Sequence, residues 1–406
     1  MRKFGTAWIA AALAGAIGLG IAAIPSGAQQ PSSIKIGWAI SKTGPYVGGA
    51  TITLLNPYKL WVKDVNAAGG ISLGGRKVPI EVIEYDDRSN SDEMIKALER
   101  LINQDQVDFL FPPWGTAFSL ASAPIFARAG YPQILVTATT DRSPEFAKRW
   151  PNSFWLLGTA TEMADSAVAT FAKLRSEGKI GDTIALIGVA DQFGIELSTA
   201  ARAALGKANF KIVYDKSYPL GTQDMQPILT EAMRSNADVF MAASYPPDTF
   251  AIIDQAKVLN YNPKVFFTSV GTAFPVVRQR FGANAEGIMG TGGWNADSPS
   301  LKDYLKRHTE EFKSEPDRWA SPVTYSSLQM LQQAIERVGK VDRAAVIKEL
   351  SSGTFDTVYG KVKLVENRFL DVFQTGQWQG GEYYGIGPSR LTGAREPVFP
   401  KPAWKQ

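Results

Sequence analysis

The chain has 406 residues, a formal net charge of +4, one histidine and no cysteine, and 45% of its residues are hydrophobic. This length allows two or three domains with cores of their own, and the near-average composition excludes a disordered, collagen-like or coiled-coil protein. The lack of cysteine excludes disulfides, thiolate zinc sites and cysteine nucleophiles. The charge is too small and too dispersed to favour a nucleic-acid partner.

The first 28 residues have the pattern of a secretory signal peptide. Arg2 and Lys3 precede an apolar run from Ala7 to Ile24, and Ser26-Gly27-Ala28 has the small-x-small form that signal peptidase cleaves. We therefore expect residues 1–28 to be removed and the mature protein to be periplasmic. The alternative is an uncleaved membrane anchor, because the apolar run approaches the roughly 20 residues that span a bilayer.

Strand and helix patterns alternate from residue 34 onward. Strands are predicted at 34–40, 78–85, 107–111, 133–137, 183–189, 210–214, 239–243 and 265–269. Helices are predicted at 56–68, 91–103, 118–129, 163–174, 194–205, 225–234 and 249–259. Helices at 301–312, 323–338 and 344–350 follow without interleaved strands, then β-rich pieces at 358–364 and 372–378, and a loose tail at 396–406. Two successive sets of strand–helix–strand repeats predict an α/β protein with two doubly wound parallel-sheet lobes.

The usual catalytic motifs are absent. Neither a GxGxxG nor a GxxxxGK[ST] phosphate loop occurs, and the GxSxG elbow of hydrolases is missing. His308 lies in a charged helical stretch and is predicted to face solvent rather than to act in catalysis. Asp86 and Asp87, with Arg88 beside them, favour a local salt-bridged turn over an acid–base pair. We therefore expect no enzyme activity, no cofactor and no bound metal.

Several short motifs occur in a characteristic order. They are Thr43-Gly44-Pro45, Asn66 to Ile71, Tyr85-Asp86-Asp87, Trp114-Gly115-Thr116, Ala138-Thr139-Thr140, Asp191 to Gly194, and Tyr245. In order and spacing the chain resembles, from about residue 34 to 390, the periplasmic substrate-binding proteins of ABC importers, of the leucine/isoleucine/valine-binding type. The resemblance implies the type I fold, in which two lobes joined by a three-strand hinge close over a ligand. It also implies a monomer that delivers its small-molecule ligand to an ABC permease in the inner membrane.

The resemblance also suggests lobe boundaries and a set of ligand-binding residues. Lobe 1 would comprise 33–155 and 296–365, and lobe 2 would comprise 156–295 and 366–395, with a C-terminal tail to 406. Thr116 and Thr140 would donate hydroxyl hydrogen bonds to a ligand carboxylate, although ordinary strand-end capping is the alternative for both. The expected ligand-binding residues are Tyr46, Trp114, Gly115, Thr116, Thr137, Ala138, Thr140, Phe193, Tyr245 and Gly271.

The sequence departs from the pattern of amino-acid binders at one position. Those proteins carry a carboxylate just after the strand at 265–269, where it pairs with the ligand ammonium, but here no acidic residue occurs between Asp254 and Glu286. Burying an ammonium without a counter-charge costs at least several kcal/mol. We therefore expect an apolar or aromatic acid such as a benzoate or phenylpropenoate derivative. Asp191 could instead supply the counter-charge, which would restore a branched-chain or other amino acid as the ligand.

Other functions stay open on the sequence alone. An amide or urea could replace the acid as ligand, and the same fold could serve as a periplasmic sensor domain for a membrane receptor. A periplasmic hydrolase is disfavoured because the nucleophile and base are missing. An α/β module that binds no small molecule is the remaining alternative.

Overall fold

The computed structural model describes residues 31–293, 299–370, 374–387 and 394–405. The predicted signal peptide at 1–28 lies outside the described residues, and a compact unit begins at Ser32. In the described ranges, no helix combines the length and the apolar character that crossing a membrane requires.

The first part of the chain builds a small parallel sheet with helices around it. Its elements are β1 (Ile34–Ile40), α1 (Val47–Ala50), a π-helical segment (Thr51–Leu55), α2 (Asn56–Ala67), β2 (Ile71–Leu73), β3 (Arg76–Val78), β4 (Ile80–Asp86), α3 (Ser91–Asn103), β5 (Phe109–Phe111), α4 (Thr116–Ala129), β6 (Gln133–Leu135), α5 (Ser143–Arg149) and β7 (Ser153–Trp155). β1 lies between β4 and β5 and runs parallel to both, with Trp38 opposite Glu84 and Phe111. β6 and β7 form a separate parallel pair, and β2 and β3 an antiparallel one.

The second part builds a seven-stranded sheet. Its elements are α6 (Ala160–Ser176), β8 (Thr183–Val189), α7 (Gln192–Lys207), β9 (Lys211–Tyr218), α8 (Gln226–Arg234), β10 (Val239–Ala243), α9 (Pro246–Val258), β11 (Val265–Thr268), α10 (Pro275–Phe281), a 3₁₀ turn (Gly282–Ala285) and β12 (Met289–Thr291). The remaining elements are α11 (Pro299–Phe312), α12 (Ala320–Val338), α13 (Arg343–Ser352), β13 (Thr354–Thr357), β14 (Gly360–Lys363), β15 (Thr375–Gln379) and β16 (Glu382–Gly387). The strand order is β16-β15-β12-β11-β10-β8-β9, in which β8 to β12 are parallel and β15 and β16 are antiparallel additions.

Burial follows from this layering. All five residues of β10 are buried, as expected for a central strand with helices on both faces of a parallel sheet. The late helix α12 packs on the first part of the chain: the Thr324 hydroxyl donates to Thr53 O at 2.7 Å, and Trp61 Nε1 donates to Gln332 Oε1 at 3.3 Å. The chain thus returns to the first sheet before β15 and β16 join the second. The predicted fold class of two parallel-sheet lobes is confirmed, while the residue boundaries of the lobes stay a prediction.

The first helix begins earlier than its sequence pattern suggests. The predicted start at Asn56-Pro57 is only the start of α2, since helical backbone runs continuously from Val47 through the π-helical segment. Pro57 follows the π-helical segment directly, in the first turn of α2.

Two predictions of exposed or loose structure are wrong. His308 is 1% exposed: its Nδ1 lies 2.9 Å from Ser314 O, and its ring packs against Phe312. The C-terminal tail is docked, because Trp404 is buried against Phe266 and its Nε1 donates to Tyr261 O at 2.8 Å.

The acidic turn after β4 is a hydrogen-bonded brace rather than a salt bridge to Arg88. Asp86 accepts hydrogen bonds from the backbone N–H groups of Lys42 and Arg88, and Asp87 accepts one from the Ser41 hydroxyl at 2.6 Å. These bonds tie the loop after β1 to the loop after β4. The two carboxylates therefore stabilise these loops.

Candidate ligand-binding site

A narrow pocket lies where loops from both sheets meet. Most of its lining follows the carboxyl ends of strands, which is where open α/β sheets place their ligands. The lining residues are Thr53, Trp114, Thr137, Thr139, Leu157, Phe193, Tyr245, Val270, Trp319 and Ala320.

Aromatic rings form one side of this pocket. The Tyr245 ring lies 4.9 Å from Phe193 in a stacked arrangement and 5.1 Å from Trp114 in a tilted one. Tyr46 packs behind Trp114 and Tyr245, with ring centroids 5.2 and 5.7 Å away. Because Trp114 follows β5 and Tyr245 follows β10, these contacts join the two sheets across the pocket. Such a wall favours a planar or branched apolar body.

Two threonine hydroxyls reach the pocket from the extended segment after β6. Thr137 and Thr139 line it, whereas Ala138 and Thr140 are not among the lining residues. Thr137 Oγ1 accepts the Gly115 N–H at 3.1 Å, which leaves its own proton available. Thr140 Oγ1 instead accepts the Arg142 N–H at 3.2 Å.

The N-terminus of α4 lies between these hydroxyls and the aromatic wall. The first intrahelical bond runs from Ser119 N to Gly115 O, so the three preceding N–H groups have no helical partner. No side chain of the described residues caps them. Gly115 has φ +87°, and a Cβ there would lie 3.9 Å from the Tyr245 hydroxyl oxygen. An uncapped helix N-terminus favours a bound anion.

The other three helices that begin at the pocket are capped by carboxylates. Asp191 Oδ1 accepts Gly194 N in α7 at 2.8 Å, and Asp248 Oδ2 accepts Tyr245 N in α9 at 3.2 Å. Asp317 accepts the N–H groups of Trp319, Ala320 and Ser321 in α12. Burial raises the pKa of Asp317 to about 7, against the lowering effect of these three hydrogen bonds. Burial also raises the pKa of Asp248 to about 6.

Asp191 is the acidic residue that could still serve a ligand. Its Oδ2 is buried without a hydrogen-bond partner in the described part of the chain, and burial raises the pKa of the carboxyl group. The Tyr245 hydroxyl lies near it, outside the geometry of a regular hydrogen bond. Burial, followed by the charge of Asp191, raises the pKa of Tyr245 well above its usual value. Asp191 does not line the pocket, and none of the described lining residues carries a formal charge.

The structure brings four of the ten predicted residues into the pocket wall: Trp114, Thr137, Phe193 and Tyr245. Gly115 forms the N-cap of α4. The Thr116 hydroxyl is bonded to the backbone of Thr139, accepting from its N–H at 3.1 Å, which is the capping role named as the alternative. The other predicted residues, none of which lines the pocket, are Tyr46, Ala138, Thr140 and Gly271.

The sequence prediction missed six lining residues. Thr139 could have been found from the alternation of the segment that already contained Thr137. Val270 is adjacent to Gly271, whose φ of +101° and close approach to Pro246 set the turn there. The remaining missed residues come from distant parts of the chain and carry no local signal: Thr53, Leu157, Trp319 and Ala320.

The fold is that of an α/β protein with two main sheets and a pocket where their loops meet. The sequence profile of the periplasmic binding protein family matches residues 33–381, and the chain belongs to this family, whose members are solute-binding proteins. The chain is 24% identical over 315 residues to a Leu/Ile/Val-binding protein of Escherichia coli K12, and the match covers 78% of this chain and 82% of that protein.

Two solved structures have the same fold. A solute-binding protein of an ABC transporter from R. palustris, in complex with benzoate, is 18% identical with a TM-score of 0.76, over 90% of this chain and 99% of that one. A branched-chain amino acid transporter substrate-binding protein from Streptococcus pneumoniae, in complex with isoleucine, is 20% identical with a TM-score of 0.75, over 88% and 100% of the two chains.

Proposed function

We propose that this protein captures a small carboxylic acid with an apolar or aromatic body and no α-amino group, and delivers it to an ABC importer permease. The family membership supports capture without chemistry on the ligand. The observation that carries the ligand class is the uncharged pocket lining around the uncapped N-terminus of α4.

A ligand carboxylate would find suitable hydrogen-bond donors beside the N-terminus of α4. The free N–H groups of α4 and the hydroxyls of Thr137 and Thr139 supply donors without a cationic side chain. Hydrogen bonds to a charged acceptor are stronger than neutral ones, so a few such donors suffice to hold an anion. The aromatic rings of Trp114, Phe193 and Tyr245 would then contact the body of the ligand.

An ammonium group has no comparable partner among the residues that line the pocket. Asp248 and Asp317 are occupied by backbone N–H groups, Asp191 does not line the pocket, and no acidic residue follows β11 before Glu286. The R. palustris protein is in complex with benzoate, and the Streptococcus pneumoniae protein is in complex with isoleucine. These two ligands represent the two candidate ligand classes for this chain. The lining favours the class that benzoate represents.

Closure of the two lobes would complete the site. Trp114 and Tyr46 from the first part of the chain already contact Tyr245 from the second. These rings are the groups that a hinge opening would separate. The permease would then recognise the closed, ligand-bound form.

A thermal-shift panel tests the proposed function. A ligand at 100 times its dissociation constant should stabilise the protein by about 2.7 kcal/mol. We expect shifts with aromatic or branched aliphatic acids, and none with amino acids, amides or urea. Shifts confined to amino acids would contradict the ligand class, and the absence of any shift would contradict the solute-binding function.

The variant Asp191→Asn separates the two ligand classes further. Asn keeps an acceptor for Gly194 N but removes the charge, so the affinity for an aromatic acid should be almost unchanged. A large loss of affinity in this variant would show that the ligand pairs with the Asp191 carboxylate. In that case an amino acid would be the natural ligand.

A further inference from the structure

The indole of Trp114 is held in the pocket wall by a single side chain of the first helix. Trp114 Nε1 donates to Thr53 Oγ1 at 2.9 Å, and both residues are almost fully buried. The same hydroxyl donates to Gly49 O at 2.8 Å. A hydroxyl has one proton and two lone pairs, so Thr53 can make both bonds at once, and they fix its orientation.

The backbone around Thr53 is unusual. Thr53 is the central residue of the π-helical segment Thr51–Leu55, which interrupts the helix between α1 and α2. Single π-helical turns within α-helices are rare and occur frequently at functional sites. Helix α12 braces this segment, because the Thr324 hydroxyl donates to Thr53 O at 2.7 Å. Thr53 is therefore held both by its own helix and by α12, independently of its contact with Trp114.

The indole also lies directly on the backbone of α1. A Cβ at Gly49 would come within 2.2 Å of Trp114 Cζ2 and within 2.7 Å of Cε2. Contacts below 3.0 Å are not tolerated, so any larger residue at Gly49 would displace the ring. Gly49 and Thr53, four residues apart on one face of the helix, together form the seat of the indole.

The position of this ring limits the pocket. Trp114 lines the pocket beside Thr53, and its ring lies 5.1 Å from that of Tyr245. A displaced indole would widen the pocket by a large part of its own volume. The seated ring therefore limits the size of the ligand that the narrow pocket admits.

We propose that Thr53 is a positioning residue that seats the Trp114 indole and thereby limits the site to small, single-ring or branched acids. This inference rests on the proposed function, since it concerns which acid the same pocket admits. It predicts that the Thr53 hydroxyl affects the choice between ligands of different size, which a purely structural residue would not do.

The test compares Thr53→Val, which keeps the shape of the side chain, with Thr53→Ser, which keeps the hydroxyl. Calorimetry with benzoate and with the larger 2-naphthoate measures the selectivity of each protein. Near-ultraviolet circular dichroism of the ligand-free proteins, with Trp114→Phe as the reference, reports whether the indole keeps its environment. Gly49→Ala is a second variant that displaces the ring while leaving the hydroxyl in place.

We expect Thr53→Val to reduce the preference for benzoate over 2-naphthoate about tenfold, the scale of one lost hydrogen bond. Gly49→Ala should reduce the preference in the same direction by displacing the ring, and both variants should lose the Trp114 dichroism signal. Thr53→Ser should retain both. Unchanged selectivity or an unchanged Trp114 signal in Thr53→Val would overturn the inference. A wild-type protein that binds neither acid would overturn the proposed function instead, and the dichroism comparison alone would then decide whether Thr53 seats the ring.

Discussion

At the scale of single residues, two acidic side chains near the pocket form hydrogen bonds within the protein, whereas a threonine hydroxyl remains available to a ligand. Asp248 and Asp317 cap helices that begin at the pocket, and burial raises the pKa of each. Asp317 would leave three N–H groups unpaired if it turned towards a ligand, and Asp248 would leave one, at a cost of about 1–3 kcal/mol per group. The hydroxyl of Thr139 has no such structural duty, and it lines the pocket.

Thr139→Val should therefore weaken the binding of a carboxylic acid. Loss of one hydroxyl donor to an anionic oxygen costs about 1–3 kcal/mol, which corresponds to a roughly 5- to 150-fold rise in the dissociation constant. Titration calorimetry measures this change directly. Thr140→Val is the matched control, because Thr140 does not line the pocket and its hydroxyl bonds to Arg142 N, so this change should leave affinity unchanged. The reverse order of effects would place the carboxylate on the other face of the segment.

His308 makes stability depend on pH in a defined direction. Burial lowers the pKa of His308 to about 4, below its usual 6.5, despite its contact with Ser314 O. Between these pH values the unfolded chain binds the proton and the folded protein does not, so stability falls as the pH falls through this range. At pH 4.5 the penalty is about 2–3 kcal/mol, since one pKa unit corresponds to about 1.36 kcal/mol.

We expect His308→Gln to remove this pH dependence. Urea unfolding at pH 7 and pH 4.5 gives the free energy of unfolding of both proteins, and the change between the two pH values should be smaller in the variant. Comparing the change rather than the absolute stability cancels the cost of the altered packing. Parallel pH profiles for wild type and variant would show that His308 is not the titrating group.

At the scale of secondary-structure elements, residues 394–405 form a C-terminal strap that packs against the seven-stranded sheet. Lys401 N donates to Lys264 O, and Asn284 and Lys405 exchange two hydrogen bonds. Trp404 packs edge-on against Phe266 at 5.7 Å. Burial lowers the pKa of Lys401 to about 7, and its ammonium lies 3.3 Å from the centre of the Trp404 ring.

Trp404→Ala should lower the free energy of unfolding by about 3 kcal/mol, as expected when a buried tryptophan is truncated. The affinity for the ligand should not change, because Trp404 does not line the pocket. Denaturant unfolding and calorimetry measure the two quantities. Lys405→Ala is the control, since only the backbone of Lys405 bonds to Asn284. A stable Trp404→Ala protein would mean that the strap contributes little.

The sequence predicts elements best where periodicity and end signals agree. Helix α3 matches the predicted 91–103, because Asn90 caps it through Asp92 N and Glu93 N and its apolar residues recur at helical spacing. The strands β8 and β10 also match their predicted bounds. Short elements such as β7, α10 and β12 were missed, since three to seven residues carry too little pattern.

The site was predictable only where it follows strand ends. Trp114, Phe193 and Tyr245 follow predicted strands, and each lines the pocket. Thr53 and Trp319 reach the pocket from a helix interior and from the start of α12, positions that depend on how distant segments pack. Their contribution became visible only in the structure, as did the docking of the tail through Trp404.

At the scale of the whole molecule, loops from the two sheets surround a pocket that combines two kinds of lining. Threonine hydroxyls lie beside the uncapped N-terminus of α4, and the rings of Phe193 and Tyr245 form an apolar wall. A ligand with an anionic head and an apolar body would connect the two parts of the chain. Its binding energy would then favour the closed over the open arrangement.

The central claim is that the ligand carries a carboxylate and lacks an α-amino group. Calorimetric titration with matched pairs tests it: 4-methylpentanoate against leucine, and phenylacetate against phenylglycine, which differ only in the amino group. We predict that the acid in at least one pair binds about 100-fold tighter than its amino acid, because an unpaired buried ammonium costs several kcal/mol. An amino acid that binds as tightly as its matched acid, or more tightly, would contradict the account.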